Sequence, residues 1–277
     1  MNHNNVRLMQ KVQLEIMGAF HNICKKYGIC YYMVGGTLLG AVRHKGFIPW
    51  DADVDIAMPR KDYDLFINKY SEQLLPKYRL LTHDNYKYFT KPHALIIQEG
   101  SVLKTEYDLL NRNYACPGIY IELFPLDNVP KDRNKQLKQD RKIIRIEQVI
   151  YRKASLFFKN DTWVKRILKY FVRFLLYPIS FRRLGAMLQA TMRQYNTIED
   201  YTGLLCSMAG KHGYKKESLP KEMYGDPVLL EFEGSFFNAP KEYEKFLEHY
   251  YGDYMSLPSK EEQDQMYNYF SVIEVGE

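Results

Sequence analysis

The stretch from residue 33 to residue 58, MVGGTLLGAVRHKGFIPWDADVDIAM, decides how the rest of the chain is read. A short apolar run ends in Gly35 and Gly36, followed by Thr37. The basic cluster Arg43, His44 and Lys45 comes next, and then Asp51, Asp53 and Asp55 alternate with Ala52 and Val54. Side chains two apart on an extended chain face the same way, so this spacing puts three carboxylates on one face of a strand predicted up to Met58. Three such anions repel one another, and Ile48, Val54 and Ile56 around them make their desolvation worse. The pattern calls for a cation, and an all-oxygen set suits Mg2+ or Mn2+ bound together with substrate phosphates. A solvated loop with capping aspartates gives the same pattern, and the upstream glycines weigh against it.

Gly35 and Gly36 read as a tight turn that lets backbone approach a ligand. Thr37 reads as the cap of a short helix over 37–43 whose N–H groups face an anion. A strand–turn–helix junction needs glycine in any case, so this motif alone says little. Joined to the aspartates about sixteen residues later, it describes one site. Phosphate oxygens rest on the helix N-terminus, the aspartates hold a metal, and the chemistry is transfer at phosphorus.

Working outward, residues 5–27 carry apolar side chains at helical spacing, with Gly28 as the stop. Residues 31–34 read as a buried strand and 60–75 as a helix with Tyr63, Phe66, Ile67, Tyr70 and Leu74 on one face. The runs at 78–82, 93–97 and 119–124 read as strands of a mixed sheet, closed by Pro125 and Pro130. Residues 131 to about 200 are helical in pattern. A strand follows at 229–234, a turn at Asn238–Pro240, and a helix that ends at Gly252. Without a repeat or a low-complexity linker, the 277 residues read as a single domain with a helical insert over about 131–200.

Charge is distributed unevenly. Residues 131–193 hold 17 Lys and Arg against 4 Asp and Glu, within a chain whose total is +6. The body is therefore acidic and the insert basic, which bears on partners rather than on fold. Within the insert, 163–184 joins an apolar face to Lys165, Arg166, Lys169, Arg173, Arg182 and Arg183, a pattern that suits an anionic membrane surface. A helix packed on the domain with its charges in water gives the same pattern. No nucleic-acid-binding module is recognisable. Four cysteines without metal or disulfide spacing, a polar N-terminus unlike a signal peptide and no membrane-spanning apolar run give the expectation of a cytoplasmic protein, peripheral on the inner face of the membrane.

The segments GGTLLGAVRHKGFIPWDADVDIAMPR, IELFPLDNVP and YGDYMSLP together resemble the LicD family of phosphocholine transferases, related to fukutin-type glycan-modifying enzymes. The resemblance spans roughly 5–130 and 220–258. It implies a nucleotidyltransferase-like α/β fold: a mixed sheet flanked by helices, with the basic helical insert added. It implies phosphocholine transfer from CDP-choline to a sugar hydroxyl of a cell-surface glycan or its lipid-linked precursor, with release of CMP. Gly35, Gly36 and Thr37 fall on its phosphate turn, Asp53 and Asp55 on its metal pair, and Asp51 on the first aspartate of its motif. Two positions depart: Ala52 stands where aspartate is common, and Glu122 where aspartate is usual. Glu122 is then the third carboxylate, as a metal ligand or as the base. Arg43 and Lys45 are candidates for neutralising diphosphate, and Lys91 matches loosely a lysine found after the first hairpin. Beside this reading stand another CDP-activated donor (glycerol, ribitol or ethanolamine), a nucleotidyltransferase using NTP, and a non-catalytic glycan- or membrane-binding protein.

Overall fold

Apolar spacing in the first helix, α1 (His3–Tyr27), buries Val6, Met9, Val12, Ile16, Met17, Phe20 and Cys24 in the main core. Gly28, at φ +64°, turns the chain away at its end. The computed structural model describes residues 3–105, 116–154, 160–197, 201–208, 210, 212–263 and 272–276; positions 155–159 and 198–200 of the expected insert lie outside them.

The chain continues through β1 (Tyr32–Met33), α2 (Gly35–His44), β2 (Asp55–Pro59) and α3 (Arg60–Leu65). A π-helical turn and a 3-10 turn extend α3 as far as Leu74. Then come β3 (Tyr78–Leu81), β4 (Ala94–Gln98), β5 (Val102–Thr105) and β6 (Tyr120–Pro130). Seven strands form a mixed sheet in the order β1-β2-β6-β4-β3, with β7 (Tyr201–Cys206) joined to β6 and β8 (Ser218–Pro220) joined to β7. The β2–β6 pairing is parallel and sets Asp55 opposite Glu122. The pairings of β1 with β2, β3 with β4, and β4 and β7 with β6 are antiparallel.

The insert consists of α4 (Arg133–Ala154), α5 (Trp163–Leu175) and α6 (Phe181–Met192). Ile143, Ile146 and Ile150 of α4 meet Phe181, Leu184, Leu188 and Met192 of α6 in a second core that also takes Val129 of β6 and Cys206 of β7. The eleven-residue strand β6 thus runs from the main sheet into the insert. Short helices α7 (Gly213–Lys216) and α8 (Lys221–Tyr224), the hairpin β9 (Val228–Phe232)–β10 (Ser235–Ala239), and α9 (Tyr243–Tyr251) complete the body, with β11 (Val272–Gly276) pairing β5. Among the described residues, no helix is long and apolar enough to cross a membrane.

Two of the recognised motifs lock together here. Arg60 of the IAMPR segment donates from Nε to Asp127 Oδ1 at 2.7 Å and from Nη2 to Oδ2 at 2.6 Å; Asp127 belongs to the FPLDNVP segment and is fully buried. Arg60 also reaches Gln189 Oε1 of α6 at 2.9 Å. One guanidinium therefore fixes the ends of β2 and β6 to the insert.

Several expected elements are shifted. The sheet strand starts at Asp55 rather than Asp53, so Asp51 and Asp53 lie on the irregular chain that leads into it. Gly35 and Gly36 are the first residues of α2 rather than a turn before it. Strand β6 passes through Pro125, which sits opposite Met58, because a strand bonded through alternating residues tolerates the missing N–H. The expected turn at Asn238–Pro240 is largely strand: β10 runs to Ala239, and the hairpin reverses at Glu233 and Gly234, with φ +51° and +74°. The helical pattern of 131 to 200 gives way by Asn196, and β7 from Tyr201 was read by no periodicity.

Candidate active site

Helix α2 begins after Val34 without a side-chain cap from that residue. The aspartates are packed against that end. A Cβ on Gly35 would come within 2.7 Å of Asp55 Oδ2, and one on Gly36 would strike Asp51 Oδ2. Gly35 also takes φ +57°. The paired glycines are thus required by the carboxylates lying over them, and the positive end of the helix offsets part of the repulsion among the three anions.

The backbone around the aspartates is held from several sides. Thr37 does not cap α2: buried beneath the site, its Oγ1 accepts the Asp55 N–H at 2.8 Å. Val34 N–H donates to the Asp55 carbonyl at 3.1 Å, and Glu122 N–H donates to the Val54 carbonyl at 2.9 Å. From α1, Gln10 Nε2 donates to the Asp51 carbonyl at 2.8 Å, and Gln13 Nε2 to the carbonyls of Ala52 and Tyr120 at 2.9 and 3.1 Å. Ala52 is buried in the core, facing away from the carboxylates on either side of it. Two glutamines, Gln10 and Gln13, on an otherwise apolar helix face are the sequence signal for this support.

Asp51, Asp53, Asp55, Gly35, Gly36, Lys91 and Glu122 line one cavity of about 280 Å³. Lys91 Nζ lies 2.9 Å from Glu122 Oε1, and His93 Nε2 lies 3.2 Å from the same oxygen. Burial raises the Glu122 pKa, but His93 and Lys91 outweigh it and hold the carboxyl well below the usual range. Arg43 and Lys45 are not brought into this cavity. Arg43 Nη1 donates to the carbonyls of Tyr254 and Ser256, both at 3.1 Å, and its side chain lines an adjoining groove with Trp50 and Asp253. Lys45 is exposed, caps α2 in the left-handed conformation, and its carbonyl accepts the Glu233 N–H. Cavity and groove share Gly36, Asp51 and Tyr251.

The far wall of the cavity carries Tyr251, the first residue of the YGDYMSLP segment, together with Glu217, Tyr224, Phe246 and Tyr250, which sequence reading did not single out. Among the described residues, no three His, Cys, Asp or Glu side chains gather as a ready-made metal shell. Asp53 and Asp55 offer an all-oxygen pair at the mouth of a helix N-terminus. That donor set fits a hard divalent cation that draws its remaining ligands from water and substrate.

A glycine-headed helix laid over an aspartate strand on a mixed sheet defines a nucleotidyltransferase-like fold. The family described as LicD/FKTN/FKRP, nucleotidyltransferase domain, matches residues 28–156. The chain is 32% identical over 264 residues, 93% of its length and 94% of the relative's, to the lipopolysaccharide cholinephosphotransferase LicD of Haemophilus influenzae. Shorter matches occur with an uncharacterized protein of Rickettsia typhi, 40% over 67 residues (24% of this chain, 20% of that one). The human ribitol 5-phosphate transferase FKRP matches at 51% over 35 residues (13% and 7%). The chain belongs to the LicD family.

Proposed function

We propose that this protein transfers phosphocholine from CDP-choline to a sugar hydroxyl of a cell-surface glycan or its lipid-linked precursor. One observation carries the reading: Asp51, Asp53, Asp55, Lys91 and Glu122 converge on the N-terminus of α2 in a chain similar along nearly its whole length to a cholinephosphotransferase. The acceptor oxygen attacks the phosphorus that bears choline. The anhydride bond to the CMP side breaks, CMP leaves, and a phosphodiester forms.

Asp53 and Asp55, with Glu122 as a third candidate, would hold Mg2+ (or Mn2+), which would supply Lewis-acid neutralisation of diphosphate charge. The Gly35–Gly36 backbone admits a phosphoryl oxygen to the helix N–H groups, where preformed dipoles stabilise developing charge. Lys91 adds a cation, and Glu122 keeps it in place. Glu122 would complete the metal site or take the proton from the acceptor hydroxyl, with Asp51 on the cavity wall beside Gly36.

Helix α5 supports peripheral placement on an anionic membrane, near lipid-linked acceptors. None of its residues is buried, and Trp163 (73% exposed), Ile167, Leu168, Phe171 and Phe174 (75%) form an open apolar face with Lys165 and Arg166 alongside. Such a face gains from interfacial burial, and each basic residue near anionic lipid adds about 1 kcal/mol.

The test is phosphorus NMR of the protein with Mg2+, CDP-choline and candidate glycans, beside Asp53→Asn. The expected result is CMP and a new phosphodiester with the parent protein and neither with the variant. Intact CDP-choline beside consumed CDP-glycerol, CDP-ribitol or CDP-ethanolamine would overturn the choline assignment, and pyrophosphate release from NTP would overturn the reaction class.

A further inference from the structure

Glu217 is 6% exposed, yet among the described residues no lysine, arginine or histidine side chain forms an ion pair with it. Its carboxylate is nevertheless held firmly. The backbone N–H of His212 donates to Oε1 at 3.1 Å, and the Tyr250 hydroxyl donates to Oε2 at 2.9 Å. Gly210 lies so close that a Cβ there would overlap the carboxylate. The nearby Lys216 ammonium is committed elsewhere, donating to the Tyr250 carbonyl at 3.1 Å. A buried carboxylate without a counter-cation is costly unless something positive arrives.

The surroundings of Glu217 indicate what arrives. It lines the same cavity as the three aspartates, and aromatic rings share its wall. Tyr250 packs on Phe246 with centroids 4.8 Å apart, and Tyr224 meets Phe246 edge-on at 5.9 Å. Tyr224 and Phe246 are each 2% exposed, so their rings are fixed by the core rather than free to collapse into the space. A primary ammonium or a polyol needs several hydrogen-bond partners from its site. Each oxygen of Glu217 already accepts one of the bonds it can take, the Tyr250 hydroxyl is spent on it, and what the wall adds is mainly ring surface. A trimethylammonium group has no N–H at all; it asks for negative potential and apolar or π contact, which is what this wall provides.

We infer that Glu217, with Tyr224, Phe246 and Tyr250, forms the subsite for the quaternary ammonium of the donor and selects it against primary-amine and polyol head groups. This rests on the phosphocholine reading above for the identity of the ligand, whereas the cation subsite itself rests on the cavity. The diphosphate then lies between this wall and the aspartates, with the cationic head group pointing away from the reacting phosphorus.

The experiment is an equilibrium titration of the full chain and of Glu217→Gln with CDP-choline, with CMP, and with tetramethylammonium chloride, each in the presence of Mg2+. Glutamine keeps the shape and can still accept from His212, so CMP binding reports whether the rest of the site is intact. Tyr250→Phe, which keeps ring and charge but frees one carboxylate oxygen, is the second variant. The expected result is a loss of tenfold or more in CDP-choline affinity for Glu217→Gln with CMP affinity unchanged, loss of saturable tetramethylammonium binding, and a smaller loss for Tyr250→Phe. Equal loss of CDP-choline and CMP, or no loss of either, overturns the subsite. Failure of the parent protein to bind tetramethylammonium overturns it as well. If the parent protein binds tetramethylammonium through Glu217 but not CDP-choline, the subsite stands and the donor assignment falls.

Discussion

Replacing Arg60 by methionine tests the junction between the two motifs. The change removes both charge-assisted bonds to Asp127 and leaves a fully buried carboxylate with the Asn196 Nδ2 bond at 2.5 Å as its remaining side-chain donor. Breaking one side of a buried ion pair costs about 3–5 kcal/mol, because the surviving charge stays desolvated. For a chain of this size each kcal/mol lowers the melting temperature by roughly 2–4 °C, so Arg60→Met should melt about 6–20 °C earlier. Differential scanning calorimetry in low and high salt is the assay, since a buried pair is little screened and the drop should persist at high ionic strength. Adding Asp127→Asn to Arg60→Met removes the stranded charge and should restore at least half of the loss. A drop below about 2 °C, or no rescue in the double variant, would refute the claim that this pair holds β2 and β6 together.

Three further outcomes are expected. Gly36→Ala drives a methyl group into the Asp51 carboxylate, so transfer activity should fall at least a hundredfold with little change in melting; an active variant would sink the packed-carboxylate picture. Glu233 accepts from Arg7 at 3.1 and 2.7 Å, and this bond, against some burial and helped by the Phe47 N–H, lowers its pKa. The stability this contributes is full above the ordinary carboxylate pKa of about 4.3 and is lost as pH falls below it. Glu233→Gln should therefore flatten the fall in unfolding free energy on acidification from about pH 5, measured by urea titration, and an unchanged slope would contradict the assignment. Finally, the double change Phe171→Glu and Phe174→Glu on the open face of α5 should abolish co-sedimentation with phosphatidylserine-containing vesicles while leaving activity on a soluble acceptor intact, and persistent binding would exclude α5 as the contact.

The mixed sheet and the grouping of Gly35, Gly36, Asp51, Asp53 and Asp55 were legible because they depend on local spacing within one short segment. Lys91 and Glu122 could be added through the family resemblance, and the structure brings both to the same cavity. What escaped depended on distant partners. Arg43 looks like a phosphate ligand beside the aspartates, but two carbonyls more than two hundred residues away take its guanidinium. Thr37 looks like a cap, yet the helix starts two residues earlier and its hydroxyl serves β2. Glu217 has no motif around it; what marks it is burial with no ion-pair partner among the described residues, which periodicity does not reveal. Helical periodicity after residue 131 matches α4, α5 and α6 where the residues are described, but β7 was hidden because its short, mixed run YTGLLC is stabilised by β6 and β8 rather than by its own propensity.

The placement of β6 also bears on how the chain reaches its folded state. Arg60 and Asp127 are 67 residues apart in sequence, and Asp55 and Glu122 have the same separation. At synthesis rates of about 5–20 residues per second, β2 waits roughly 3–13 s for its parallel neighbour. During that interval its inner edge has no strand to bond, and the aspartates have no completed sheet to stand on. Non-local parallel pairing of this kind is slow in any case, so the nascent chain carries an open strand edge for seconds. The N-terminal half alone, ending before residue 120, should therefore aggregate when expressed rather than fold as a smaller version of the site.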